Sequence, residues 1–195
     1  MIKPDLTHVS TLEQFYREIV NIQQQHHGQE YTAHHRVLHQ LASESQIIKE
    51  LGVCQGATLA TMLLSAPKKL IGIDIDDQYF SIYQPLFDLW AKNNNVDFEF
   101  IKGSSIDNKL VSEVDMLHID SYHTYEHLSK ELLIHAPSVK HYIVFHDTVH
   151  TRDAAGLLKA VIHYITEVDP QWQIIEHCTQ GAGHTVIKKV GYAPV

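Results

Sequence analysis

The chain has 195 residues, a length suited to one domain with a sizeable core, so a single domain over 1–195 is expected. With 15 Lys and Arg against 23 Asp and Glu, a net charge of −8 and a pI near 6.0, it lacks the basic surface that grips phosphate backbones, and a nucleic-acid partner is not expected. No apolar run approaches the ~20 residues that cross a bilayer, the first twenty residues lack a secretory pattern, and two cysteines make no disulfide scaffold, so a cytoplasmic protein with no membrane partner is expected.

Ser10 followed by Glu13 forms a capping-box signature, and Leu12, Phe15, Tyr16, Ile19 and Ile22 recur at helical spacing, predicting an opening helix that ends within 23–28. A second helix is predicted over 31–44, so that 1–45 forms an N-terminal helical segment, placed where a cover over a substrate site is expected. The pattern then changes to short apolar runs alternating with amphipathic stretches, the mark of a parallel sheet built from strand and helix units. Strands are predicted over 47–51, 70–74, 96–101, 114–120 and 142–145, and helices over 58–64, about 79–90 and 126–136. Pro85 inside the second of these helices should kink it or shift its start. Ala154, Leu157, Leu158, Val161, Ile162, Ile165 and Val168 give a last helix, stopped by Pro170. Segments 172–176 and 184–188, joined through Gly181-Ala182-Gly183, read as an antiparallel pair that closes the fold.

In open parallel sheets, ligands bind beyond the carboxyl ends of the strands, which makes those ends the places to look. The first strand ends in Glu50-Leu51-Gly52-Val53-Cys54-Gln55-Gly56, a glycine turn whose spacing is not the dinucleotide-binding G-x-G-x-x-G. The second ends in Asp74, 22 residues beyond Gly52, about where a carboxylate grips ribose hydroxyls. Asp76 and Asp77 are expected to cap the following helix. The fourth and fifth strands end in His118-Ile119-Asp120-Ser121-Tyr122-His123 and His146-Asp147-Thr148, so three carboxylates and several imidazoles converge on one rim. Most of the 16 histidines read as ordinary surface residues, with His123 and His127 one helical turn apart by chance. His26, His27, His34 and His35 are candidates for the cover over the substrate.

Taken together, Glu50-Leu51-Gly52 with Gly56, Gly72-Ile73-Asp74, His118-Ile119-Asp120 with His123 and Tyr125-Glu126, Phe145-His146-Asp147-Thr148, and the closing hairpin resemble class I S-adenosylmethionine-dependent methyltransferases over 47–188. The resemblance is to the small-molecule and sugar O-methyltransferase branch that includes macrocin-type and cephalosporin-hydroxylase-like proteins. It implies an α/β, Rossmann-like, doubly wound and mostly parallel seven-stranded sheet with a C-terminal antiparallel hairpin. It further implies that Glu50, Gly52 and Gly56 serve the methionine part of S-adenosylmethionine, Asp74 the ribose, Ser104 and Ser105 the adenine in place of a usual acid, and Asp120 the region of the transferred methyl group. Cys54 stands where the family's loop has its middle glycine.

Some relatives bind Mg²⁺ through an aspartate after the fourth strand and an acidic pair after the fifth; the matching residues are Asp120, His146 and Asp147. Imidazole among the ligands weakens the case for Mg²⁺ and opens Zn²⁺, Mn²⁺ or no metal. Without an ion, His123 or His146 serves as general base beside Asp120. The function expected is methylation of a hydroxyl on a small molecule or sugar. The alternatives are a non-catalytic nucleoside-binding protein and a metal-dependent hydrolase using Asp120, His123, His146 and Asp147; the glycine loop with Asp74 speaks against the hydrolase. The absence of an Asn/Asp-Pro-Pro-aromatic run speaks against DNA base methylation.

Overall fold

Two helices, α1 (Leu12–His27) and α2 (Gln29–Ser43), precede a seven-stranded sheet in the computed structural model, which describes residues 4–27, 29–149 and 156–191. The cap of α1 lies one residue later than the sequence suggests. Thr11 Oγ1 accepts from the Gln14 N–H at 3.1 Å, and Gln14 Oε1 accepts from the Ser10 N–H at 3.3 Å. Glu13 is thereby released to accept from the Trp90 indole N–H at 2.6 Å.

The strands are β1 (Ile47–Leu51), β2 (Lys69–Asp74), β3 (Asp97–Lys102), β4 (Val114–Ile119), β5 (Val139–His146), β6 (Trp172–Cys178) and β7 (His184–Lys189). Their order is β3-β2-β1-β4-β5-β7-β6, with the first five parallel and β7 antiparallel to both β5 and β6. The expected sheet and closing hairpin are therefore present. Between them run α3 (Ala57–Leu63), α4 (Gln84–Asn93), α5 (Tyr125–His135) and α6 (Leu157–His163).

Alternate residues of the strands feed two cores, as the two-residue period of a strand requires. Leu70, Met116, Val144 and Val186 pack with the apolar faces of α1 to α4 on one side. Ile71, Leu117, Ile143 and Ile187 pack with α5 and α6 on the other. Since both faces are covered, β1 and β4 are buried throughout or nearly so, and the polar residues in them, Lys49, Glu50, Asp115 and His118, are buried as well.

Three details differ from expectation, and Pro85 meets one of its two expected outcomes. Pro85 lies in the first turn of α4, where a missing N–H costs nothing, so it shifts the helix start and introduces no kink. Asp76 and Asp77 are too early to cap that helix: Asp76 Oδ1 accepts from the Gln78 N–H at 3.0 Å, and Asp77 pairs with Lys102 Nζ at 2.7 Å. β5 begins three residues early because Val139 pairs with Val114 of β4. The last helix widens into a π-helical turn over Tyr164–Val168, and Ala154, counted in its stripe, lies outside the described residues.

Among the described residues, no helix is long and apolar enough to cross a membrane.

Candidate active site

The chain runs from β1 outward to β2 and β3, then returns to β4 on the other side of β1. This reversal opens a crevice at the strand tips. The cleft there has a volume of about 400 Å³, in the range of small-molecule sites, and runs from Asp120 and His123 past Gly52, Cys54 and Asp74 to Ile75, Ser104, Ser105 and His127.

Its floor depends on close backbone approach. The Gly52 N–H donates to the Ile73 carbonyl, and the Asp120 N–H donates to the Leu51 carbonyl, both at 2.8 Å, lacing the tips of β1, β2 and β4 together. Gly52 has φ +88°, and a Cβ there would lie 2.1 Å from the Asp120 carbonyl oxygen, so only glycine fits. Cys54 keeps the left-handed conformation of a loop glycine, with φ +52°. Asp74 Oδ2 accepts from the N–H groups of Val53 and Cys54 at 2.8 Å each, and Oδ1 accepts from the Asp76 N–H at 2.9 Å. Three of about four acceptor positions on this carboxylate thus brace the loop.

Two residues assigned to the cofactor sit elsewhere. Glu50 is fully buried beneath the loop, where it accepts from Thr58 Oγ1 and lies 2.8 Å from His118 Nδ1. Burial raises its pKa despite the histidine, and it braces the interior with no part in lining the cleft. Gly56, with φ +90°, is the N-cap of α3 and packs against Phe80 and Phe87, again away from the cleft. Gly56 follows from the chain turning inward after Cys54, and Glu50 from its place inside β1, a strand covered on both faces.

At the other end, one ligand atom each from Asp120, His146 and Asp147 lie within 4.8 Å of one another. His123 bridges the two carboxylates, with Nε2 3.2 Å from Asp120 and Nδ1 3.2 Å from Asp147, while His146 Nδ1 is 3.4 Å from both aspartates. Burial works to raise the pKa of Asp120, but the charge of His146 and hydrogen bonds from His123 and His146 outweigh it and hold the carboxyl below its usual range. The hydrogen bond to Asp120 raises His123 against the opposing effect of burial. His123 reaches the cleft. His146, buried and absent from the cleft lining, is a poor base for a substrate there but a reasonable ligand behind it.

Ser104 and Ser105 lie at the far end, as does His127, which the sequence reading treats as a chance neighbour of His123. Its only sequence signal is the helical spacing, which cannot show that the two rings face different partners in one cleft. His34 and His35 are buried, with His34 Nε2 3.2 Å from His118 Nε2 and His35 Nδ1 bonded to Thr61 Oγ1. Among the described residues, neither α1 nor α2 lines the cleft; they pack behind the sheet with α3 and α4.

The family model described as rhamnosyl O-methyltransferase/CmcI matches residues 18–156, well over half of the chain. The chain belongs to that family. No curated relative matches its sequence. Among solved structures it is similar to the O-methyltransferase from Bacillus cereus in complex with SAH, at 14% identity and TM-score 0.63, covering 97% of this chain and 93% of that one. It is also similar to SAH-bound Podospora anserina methyltransferase PaMTH1, at 12% identity and TM-score 0.61 over 80% and 77% of the two chains. TomG from Streptomyces achromogenes, an O-methyltransferase involved in tomaymycin synthesis and solved with SAM, gives 16% identity and TM-score 0.55 over 82% and 80%. These identities bear on the fold; the family match carries the activity. This member of the rhamnosyl O-methyltransferase/CmcI family is an S-adenosylmethionine-dependent O-methyltransferase acting on small molecules, and neither alternative, hydrolase or non-catalytic binder, gains support.

Proposed function

We propose that the cleft along the four strand tips holds S-adenosylmethionine, and that the acceptor is a hydroxyl of a sugar or a similar small molecule reaching the Asp120 end. The family's sugar-methylating members support that acceptor class. The cofactor supplies an electrophilic methyl group, and the chain must hold it and ease proton loss from the attacking hydroxyl. Gly52 and Cys54 border the methionine part, Asp74 offers its remaining acceptor position to the ribose, and Ser104 and Ser105 border the base. The net charge of −8 and the lack of a disulfide at Cys54 and Cys178 suit a protein of the reducing cytoplasm without nucleic-acid partners.

The single observation that carries this reading is the juxtaposition of the Asp74-braced loop and Asp120 in one cleft, with His146 and Asp147 clustered behind Asp120. Two carboxylates and one imidazole suit a divalent ion of mixed oxygen and nitrogen preference, such as Mn²⁺ or Zn²⁺. Such an ion would lower the pKa of a hydroxyl placed against it. A second reading has its own observation, since His123 already bridges both carboxylates and can carry the proton itself.

Calorimetric titration tests the cofactor assignment: S-adenosylhomocysteine should bind, and Asp74→Ala should weaken it about ten- to a hundredfold. Unchanged affinity in the variant removes Asp74 from the site. Metal-stripped protein should keep this binding and lose transfer to sugar acceptors. Full turnover by stripped protein overturns the metal reading; His123→Ala should then slow turnover by about 10²–10⁴-fold.

A further inference from the structure

His127 lines the cleft together with Ile75, Ser104 and Ser105, its ring 5.6 Å from that of Tyr122. Its Nε2 lies 3.0 Å from Ser105 Oγ and 3.2 Å from Glu131 Oε1. Glu131, one helical turn further along α5, is fully buried, and its Oε1 also accepts from Ser121 Oγ at 2.5 Å. Ser105 Oγ is the hydrogen-bond partner of Nε2, and the negative charge of the Glu131 carboxylate beside it favours a proton on Nε2, which leaves a lone pair on Nδ1. That Nδ1 has no hydrogen-bond partner among the described residues. The root of the ring is fixed as well, because Thr124 Oγ1 caps α5 by accepting the His127 N–H at 3.3 Å. Ile75, Ser104 and Ser105 bring no carboxylate to the cleft; the serine hydroxyls there can turn to donate or accept. Of these four residues, His127 alone presents an acceptor whose sense is set from behind.

We propose that His127 reads the exocyclic amine of the adenine ring through Nδ1, with Glu131 as the positioning residue that sets its tautomer. The proposal rests on the assignment of the cleft to S-adenosylmethionine. Adenine offers an N–H donor at this edge; in the deaminated base a carbonyl oxygen takes its place, and two lone pairs would face each other.

The test is calorimetric titration with S-adenosylhomocysteine and with S-inosylhomocysteine, in which a carbonyl replaces that amine and the neighbouring N1 carries a proton. Wild-type protein should prefer the adenosyl ligand by about tenfold or more, since a polar site left unpaired discriminates strongly. His127→Phe keeps the ring and removes the acceptor. It should weaken the adenosyl ligand about tenfold and bring the ratio of the two affinities close to one, while His127→Gln, whose amide oxygen can accept, should restore part of the ratio. Glu131→Gln should lower the ratio too. Asp74→Ala should weaken both ligands alike and leave the ratio at the wild-type value. Retention of the wild-type ratio in folded His127→Phe, whether both affinities fall equally or neither falls, overturns the proposal and makes His127 a packing residue. Binding of neither ligand by wild-type protein overturns the cofactor assignment, and this proposal with it.

Discussion

A methyl group at position 52 would sit 2.1 Å from the Asp120 carbonyl oxygen and 2.5 Å from its carbonyl carbon, on a backbone whose φ is +88°. Neither neighbour can yield, because the Asp120 N–H is bonded to Leu51 and the Gly52 N–H to Ile73. Gly52→Ala should therefore spread the tips of β1 and β4, lowering stability by at least about 2 kcal/mol. It should also remove measurable binding of S-adenosylhomocysteine; near wild-type urea midpoint and affinity would show that the tips can separate freely. Cys54 is the opposite case. A side chain in the left-handed region costs roughly 1–2 kcal/mol, so Cys54→Gly should leave the urea midpoint unchanged or raised, and a clear fall would mean that the thiol contributes packing that outweighs its strain.

The two N-terminal helices behave as a brace for the sheet. Phe15 of α1 is fully buried, its ring 4.9 Å from that of Tyr83 and 5.6 Å from that of Phe87 at the edge of α4. Truncating such a residue removes transfer energy and leaves a cavity, so Phe15→Ala should destabilise the protein by about 3–5 kcal/mol in urea unfolding. Since no described residue of α1 or α2 lines the cleft, the folded variant should bind S-adenosylhomocysteine within a few-fold of wild type. A large loss of affinity in protein shown to be folded would return these helices to the covering role suggested by their position in the chain. The histidines that suggested it, His34 and His35, face inward because their spacing from Val37, Leu38 and Leu41 puts them on the apolar side of α2.

Across the whole molecule, the histidines set how stability responds to acid. Burial, reinforced by neighbouring histidine charge, lowers His34 well below 6.5 and takes His35 to about 3; burial lowers His135, His141 and His184 as well. His123 alone among those shifted moves up. Below the ordinary histidine pKa the unfolded chain therefore binds more protons than the folded one, and stability falls as pH drops. Above that pH the imidazoles with lowered pKa are neutral in both states and add no dependence, while His123, being raised, gives a smaller contribution of opposite sign that is lost as pH rises. Each buried imidazole contributes up to about 1.4 kcal/mol per pH unit between its two pKa values. The unfolding free energy should fall steeply from pH 6.5 to pH 5 and change little from pH 7 to 8, and His35→Leu should flatten the acid limb. A flat profile between pH 5 and 6.5 would show that these rings protonate without unfolding.

The order of strands and helices was legible in the sequence because each element's side chains face only two environments, and a period of two or 3.6 records which face is wet. The rim was legible for a related reason: a parallel sheet sends every loop carrying Gly52, Asp74, Asp120 and Asp147 to the same end. What lay beyond the sequence was the partner of each polar group. Lys49 and Glu50 stand in a strand that reads as half polar, yet both are buried, one donating to the Leu110 carbonyl at 2.7 Å and the other held by His118 and Thr58. His127 and Glu131 look like an exposed helical pair, and only the packing of α5 against the loop after β3 turns one into a wall of the cleft and the other into its buried anchor. Local periodicity records burial averaged over a face, whereas the identity of a hydrogen-bond partner depends on residues tens of positions away, and the tertiary structure alone brings those together.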